Sequence, residues 1–205
     1  MAFLSDEEKQ EISAAIKKAE SKTSGELVTV IARRADAYLY IPILWAALVA
    51  LVFPAETYFM HPEMDALTTY KIQLLLFISI SLVLRWTPLK MALIPKGIKH
   101  HRASRLAREQ FFAQGLYLTR EHTGVLIFVS IAERYVEIIA DSGIHQKVEA
   151  DAWDAIVGHF VNHVKTGDIA RGFLIAIEAV GDKLARHFPR PQDDTNELPD
   201  RLIEI

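Results

Sequence analysis

The stretch GVLIFVSIAERYVEIIA, Gly124 to Ala140, predicts two neighbouring strands and with them the class of fold. Its first part, Gly124 to Ile131, is apolar on both faces, as in central strands that are covered by helices on both sides. The polar connection Ala132-Glu133-Arg134, whose charges are expected to be exposed, leads directly into a second strand, Tyr135 to Ala140. Because a parallel pair needs a crossover of about a dozen residues or more, these strands must pair antiparallel.

A third strand lies far upstream, in GELVTVIA, Gly25 to Ala32, and it too is apolar on both faces. Helices are predicted around the strands: one beginning at the capping box of Ser5 and Glu8, one from Lys99 to Gln114, and two with apolar stripes at Trp153 to Val164 and Phe173 to Leu184. Neither part of the chain can build a core alone. The sequence therefore predicts one discontinuous α/β domain, a three-layer α/β/α sandwich with a small mixed sheet, from residues 1–36 and 97–188.

Residues 37–95 interrupt this domain and carry two apolar runs. From Ala37 to Ala55 the chain has no charged residue, and a helix of this length reaches roughly 28 Å, close to the hydrocarbon thickness of a bilayer. The run from Ala66 to about Thr87 is long enough if Lys71 and Arg85 extend to opposite interfaces. We therefore expect a two-helix transmembrane hairpin. The alternative, a buried helical hairpin of a soluble protein, fits less well because both runs are apolar around the whole helix.

Charge asymmetry orients this hairpin. Acidic residues occupy the connection between the two runs, whereas basic residues flank both outer ends. The positive-inside rule then predicts two spans in a bacterial inner (plasma) membrane, with both termini in the cytoplasm. The first span begins too far from Met1 for a cleaved signal peptide. The residues expected at the lipid headgroups, at about 1 kcal/mol for each charge, are Arg33, Arg34, Lys90, Lys96, Lys99 and Arg102.

The composition excludes several classes of function. The 205-residue chain has 23 basic and 26 acidic residues and a net charge of −3, which argues against a nucleic-acid partner. It has no cysteine, so disulfides, thiolate metal sites and cysteine nucleophiles are excluded. Residues 189–205 are rich in proline and in acidic residues, and they are predicted to form a flexible tail.

Four segments resemble the TPM-domain family, which is named for thylakoid-lumen, photosystem-repair and receptor-modulator members. The most specific is TREHTGVLIFVSIAERYVEIIADSGI, Thr119 to Ile144; the others are TSGELVTVIA, W-x-x-I-V at Trp153 to Val157, and TGDIARGFLIAIEAVG, Thr166 to Gly181. The resemblance implies an α/β/α sandwich and a role in the maintenance of membrane proteins. Phosphatase activity and calcium binding have been proposed for some members. The chain resembles a bacterial, membrane-anchored member of this family.

Three carboxylates are candidates for a metal site. Asp141 follows the third strand in the turn ADSGI, and Glu26 and Asp168 could supply further oxygens for Ca²⁺ or Mg²⁺, which need several oxygen ligands. Each residue also has a structural explanation, since Asp141 and Asp168 can cap a turn or a helix and Glu26 can occupy an exposed strand start. The spacing leaves both explanations open, and no cofactor is certain.

Two hypotheses for function follow. The first is a non-enzymatic binding or maintenance module that is held at the lipid bilayer and has a membrane protein as its partner. The second is a metal-dependent, phosphatase-like hydrolase centred on Asp141. The first is favoured because the sequence contains no phosphate-cradling glycine loop and no G-x-S-x-G elbow, and no catalytic residue can be named.

Overall fold

The structure is a computed structural model that describes residues 4–205, and the chain divides into two compact units. The first unit contains the described residues up to Ala35 together with His100–Ile205. The second unit is Asp36–Lys99. An excursion between Ala35 and His100 therefore separates two pieces of chain that fold together.

Eight helices and four strands make up the described residues. In chain order they are α1 (Asp6–Glu20), β1 (Glu26–Ala32), α2 (Tyr40–Met60), α3 (Ala66–Val83), α4 (Thr87–Leu93), α5 (Lys96–Ala113), β2 (Gly124–Ser130), β3 (Tyr135–Ala140), α6 (Ser142–His145), α7 (Asp154–Thr166), α8 (Ile169–His187) and β4 (Leu202–Glu204). Short 3-10 helices lie at Leu116–Leu118 and Ala150–Trp153. The predicted capping box opens α1, where the Ser5 hydroxyl accepts the Glu8 N–H at 3.2 Å and the Glu8 carboxylate accepts the Ser5 N–H at 2.7 Å.

The first unit is built on one mixed sheet with the strand order β3-β2-β1-β4. β2 and β3 pair antiparallel, as the short connection between them requires. β1 pairs parallel to β2 on one side and parallel to β4 on the other. The predicted fold class, a small mixed sheet between helices, is confirmed.

Alternate residues of the central strands point into two separate cores. Leu27 and Ile31 of β1 pack with the helices α1, α7 and α8. Val28 and Val30 pack with α5 on the opposite face. Because a strand side chain points to alternate faces, an unbroken apolar strand can serve both cores, and every residue of β1 and β2 is buried. This arrangement gives the three layers.

We call residues 189–205 the strap. The prediction that the strap is a flexible tail is wrong for its C-terminal end. Leu202–Glu204 form β4 on the outer edge of β1, and the N–H of Ile205 donates to the Ile31 carbonyl at 2.9 Å. Proline and acidic content predict disorder from the strap's own composition. The backbone edge of β1, which lies far away in sequence, supplies hydrogen bonds that this composition does not reveal.

The prediction that Glu133 is an exposed loop charge is also wrong. Glu133 is 4% exposed, and both of its carboxylate oxygens lie 3.1 Å from the N–H of Ala35. The hydroxyl of Ser130 donates to the same carboxylate. Arg134 has a positive φ of 52°, which turns the chain sharply between β2 and β3. Glu133 therefore fastens the segment that follows β1 to this turn.

The second unit contains the two apolar helices α2 and α3, which pack against each other. Both are long and apolar enough to cross a membrane by length and composition, with mean hydropathies of 1.7 and 1.6. Most of their large apolar side chains are exposed; Leu51 is 73% exposed and Leu75 is 64% exposed. α2 continues through Pro54 to Met60, several residues beyond the predicted end of the first run.

The close approach at Gly124 gives a test of the sheet. A Cβ at this position would overlap the Leu116 carbonyl oxygen and lie 3.0 Å from the Leu116 Cδ2. We expect Gly124→Ala to lower the free energy of unfolding by about 1–3 kcal/mol, as overpacking does. Gly158→Ala is the matched control because nothing lies within 4 Å of its added Cβ, and it should stabilise α7 by about 0.5–1 kcal/mol. Urea unfolding of detergent-solubilised protein measures both; equal stabilities for the two variants would contradict the close approach.

Candidate functional site

Two of the three predicted metal ligands lie at the same end of the strands of the sheet. Glu26 at the start of β1 is in register with Gly124 at the start of β2. Asp141 follows β3, and its N–H donates to the Gly124 carbonyl at 2.9 Å. Glu26 and Asp141 thus flank Gly124 on either side, and two strand spacings place their backbones roughly 10 Å apart across the sheet. We call this end of the strands the acidic edge; it is distinct from the lateral edges of the sheet, where β3 and β4 lie.

Asp141 is paired with His122 at the acidic edge. Its Oδ2 lies 3.2 Å from His122 Nδ1, while its Oδ1 accepts the N–H of Ser142 at 2.6 Å and so begins α6. The Asp141 side chain is 13% exposed and that of His122 is 59% exposed. With a hydrogen on Nδ1, His122 donates to Asp141, and the basic nitrogen Nε2 is on the other side of the ring.

Backbone geometry holds this pair in place. His122 has a positive φ of 54°, which is uncommon for a residue with a side chain. Its carbonyl accepts the N–H of Gly143 at 3.0 Å. A Cβ on Gly143 would overlap the carbonyl oxygens of Glu121 and His122, so only glycine permits the two turns to pack so closely.

The sequence prediction missed His122 although it names Asp141. The informative signal is the register of the hairpin: His122 precedes β2 by two residues, and Asp141 follows β3 directly. Antiparallel pairing of β2 and β3 brings these two positions together, but the reach of the imidazole depends on the turn at His122, which the strand pattern does not describe.

Glu26 is directed toward the strap and not toward Asp141. The residue is 5% exposed, and its two carboxylate oxygens accept the N–H groups of Glu197 at 3.1 Å and Leu198 at 3.2 Å. Burial raises the pKa of the Glu26 carboxyl, and these two backbone hydrogen bonds oppose the rise. The alternative explanation that Glu26 occupies an exposed strand start is therefore wrong.

A second buried carboxyl, Glu20, lies beside Glu26 and was not predicted. Its Oε1 accepts the N–H of Leu27 at 2.9 Å. Burial raises the pKa of Glu20 to about 9; the Leu27 N–H lowers this pKa, and the neighbouring carboxyl of Asp200 raises it further. Glu20 is therefore protonated at neutral pH, and its hydroxyl can donate to Asp200 of the strap. Its position at the end of α1 gives no sequence signal, because glutamate is usually exposed there.

The third predicted ligand, Asp168, begins α8. Its side chain accepts the N–H of Arg171 at 3.4 Å, as the N-cap explanation requires, and it lies 3.9 Å from His163 Nδ1. Within residues 4–205, no group of three or more His, Asp or Glu side chains could hold a metal ion. Asp141, Glu26 and Asp168 each bond a different partner, so the structure does not bring them together as ligands of Ca²⁺ or Mg²⁺.

The six basic residues predicted at the lipid headgroups differ in exposure. Arg33, Arg34 and Lys96 are exposed, whereas Lys99 and Arg102 are half-buried. Lys90 is 6% exposed and its Nζ donates to the Ala37 carbonyl at 2.7 Å. This hydrogen bond links α4 to the segment that precedes α2, and the placement of the six residues at lipid headgroups stays a prediction.

An apolar patch lies near the acidic edge, where α5 ends. Phe112 is 61% exposed, Tyr117 is 42% exposed and Leu118 is 69% exposed. The Phe112 ring contacts the Phe111 ring at 5.8 Å and the Tyr117 ring at 5.6 Å between centroids. Three large apolar side chains exposed within seven residues are typical of a contact surface.

Comparisons with known proteins concern both family and fold. The model of the family described as TPM domain matches residues 92–183, which include β2, β3, His122 and Asp141. The NMR structure of the BA42 protein from the psychrophilic bacterium Bizionia argentinensis is similar in fold, with a TM-score of 0.63 and 22% sequence identity, covering 100% of this chain and 97% of that chain. A search of curated proteins finds no match. The predicted resemblance to the TPM-domain family is confirmed for residues 92–183.

The raised pKa of Glu20 predicts a pH dependence of stability. Because the pKa rises from 4.5 to about 9 on folding, the contribution of Glu20 is fully present below pH 4.5 and is lost as the pH rises through about 9. Glu20→Gln should flatten the fall in unfolding free energy between pH 5 and pH 9, measured by urea unfolding in detergent. The exposed Glu178→Gln is the control and should keep the wild-type slope; an unchanged slope in Glu20→Gln would contradict the assignment.

The pairing of His122 with Asp141 predicts a preferred tautomer. In the wild type, the neutral ring should carry its hydrogen on Nδ1, because this hydrogen is donated to the carboxylate. Asp141→Asn should lower the population of this tautomer, as read from the imidazole ¹⁵N chemical shifts of the full chain in micelles. His145 serves as an internal control, and an unchanged His122 tautomer in the variant would show that Asp141 does not orient the ring.

Proposed function

We propose that the chain is a membrane-anchored cytoplasmic module that binds other membrane proteins and supports their maintenance, without catalysis of its own. The observation that carries this proposal is the apolar surface of α2 and α3. Leu51, Leu75 and most of their large apolar neighbours are exposed, and exposed surface of this kind is unfavourable in water at about 25 cal/mol per Å². A bilayer removes that cost. A core helix of a soluble protein would instead be mostly buried.

The distribution of charge supports a bacterial inner membrane with both ends of the hairpin in the cytoplasm. The connection between α2 and α3 carries Glu63 and Asp65, which are exposed. Arg33, Arg34 and Lys96 lie outside the two helices and are exposed as well. Basic residues at the cytoplasmic side and their absence from the short external connection follow the positive-inside rule.

The contact surface that we assign to the partner is the apolar patch of Phe112, Tyr117 and Leu118. Aromatic side chains are enriched in protein interfaces because they contribute a large contact area at a low entropic cost. The acidic edge lies close to it in the chain, at His122, and adds polar groups around an apolar centre. The phosphatase hypothesis has less support, because the three carboxylates that it needs bond different partners.

Single cysteines test the anchoring without background, because the chain has no cysteine of its own. In intact cells, Glu63→Cys should react with a membrane-impermeant maleimide, whereas Glu178→Cys on α8 should react only after lysis. Recovery of the full chain in the soluble fraction, or labelling of Glu178→Cys in intact cells, would contradict the proposed topology.

Photo-crosslinking tests the partner surface. A photoreactive amino acid at position 118 should give adducts with integral membrane proteins in intact cells. The same amino acid at the exposed position 178 of α8 is the matched control and should give none. Equal adducts at the two positions would show that the apolar patch is not the binding surface.

A further inference from the structure

We propose that the outer edge of β1 is a binding groove for an extended peptide of a partner protein, and that the strap occupies this groove as a displaceable internal ligand. This inference deepens the binding function proposed above and rests on it for the class of partner. The groove itself is defined by contacts within the first unit, so its test is independent of the membrane.

The first part of the groove recognises backbone. Both oxygens of the buried Glu26 carboxylate accept successive N–H groups, those of Glu197 and Leu198. A carboxylate in this position binds an extended chain through main-chain donors, and charged acceptors make the stronger hydrogen bonds. In addition, the N–H of Arg120 donates to the Glu197 carboxylate at 3.1 Å. The two contacts with Glu26 need only main-chain N–H groups, whereas the contact with Arg120 needs an acidic side chain at the position of Glu197.

The second part of the groove is the side of β1 that faces away from β2 and that β4 occupies. The register places Thr29 opposite Leu202 and Ile31 opposite Glu204. Beyond β4, the N–H of Arg33 donates to the Ile205 carbonyl at 2.9 Å. Without β4, this edge would expose main-chain donors and acceptors, which are a template for another strand. Addition of a peptide strand to such an edge is a common mode of recognition.

Side chains of the strap show what the groove selects. Leu198 and Ile203 pack on the core that α5 covers, and Leu202 packs on the core of α1 and α8. A partner segment therefore needs apolar residues with the spacing Leu-x-x-x-Leu-Ile. It must also keep the N–H groups that correspond to Glu197, Leu198 and Ile205, so proline is excluded at those three positions.

The strap is held in a way that permits exchange. β4 has three residues, of which Leu202 and Ile203 are half-buried and Glu204 is exposed. Residues 190–201 form no helix or strand, and they separate β4 from the end of α8. The strap can therefore leave the edge of β1 without unfolding a helix. This distinguishes it from β2, whose residues are all buried.

A peptide added in trans tests the groove in the full chain in detergent micelles. The probe is a fluorescent synthetic peptide of residues 195–205. Because the strap competes at a high effective concentration, the wild type should bind this peptide weakly. The double variant Leu198→Asp/Ile203→Asp weakens the strap and should bind the probe at least roughly tenfold more tightly. Asp193→Ala, an exposed change in the strap, should behave as the wild type, and a probe carrying the same two aspartates should not bind.

Hydrogen exchange of the wild-type chain provides the second measurement and decides the question if the double variant does not fold. Exchange of the Leu198 and Ile205 amides at least tenfold faster than those of β2 would support displacement, whereas exchange of all these amides only with global unfolding would overturn it.

Failure of a folded double variant to bind the probe would also overturn it. Concentration-dependent dimers without peptide would assign the groove to a second copy's strap and overturn the assignment to a foreign partner. None of these results depends on α2 or α3, so failure here leaves the membrane-anchoring proposal intact.

Discussion

β1 is covered on both faces and paired on both edges, and the rest of the first unit is arranged around this strand. All seven of its residues are buried, so every main-chain donor and acceptor must find a partner within the protein. β2 supplies partners on one edge and β4 on the other. Both come from chain that follows the second unit. The fold is therefore closed only by pairings between residues that are distant in sequence.

Buried carboxylates fasten the chain at both ends of this strand. Glu20 and Glu26 accept N–H groups near its start, from Leu27 and from the strap. Glu133 accepts the N–H of Ala35 just beyond its end. A buried carboxylate is costly unless it is hydrogen-bonded or protonated, and these residues show both solutions. Acidic residues at strand ends in this protein thus serve as anchors for backbone, which explains why they do not converge as metal ligands.

The features that support a binding role are of a different kind from those that hold the fold. Within the described residues, nothing covers most of the large apolar side chains of α2 and α3. The patch of Phe112, Tyr117 and Leu118 is likewise exposed. The pairing of His122 with Asp141 is positioned by strained and tightly packed backbone, at Gly143 and at His122 itself. Such strain is stored where the surrounding structure over-determines it, often at functional sites. The match of the TPM domain model covers this same region.

The sequence alone determined what depends on local pattern. Strands apolar on both faces, the tight connection before Tyr135, the capping box at Ser5 and the two long apolar runs each predict an element from neighbouring residues, and the fold class follows from them. Only the tertiary structure decided which individual polar groups are buried and which partners they bond. The end of the strap forms a strand because the edge of β1 supplies hydrogen bonds. Glu133 is buried because the distant N–H of Ala35 donates to it, and Lys90 is buried because it donates to the distant carbonyl of Ala37. His122 contacts Asp141 because of the turn before β2. Burial and hydrogen bonding of a charged side chain depend on which backbone groups, distant in sequence, lie beside it in the fold. Composition and periodicity do not reveal these contacts.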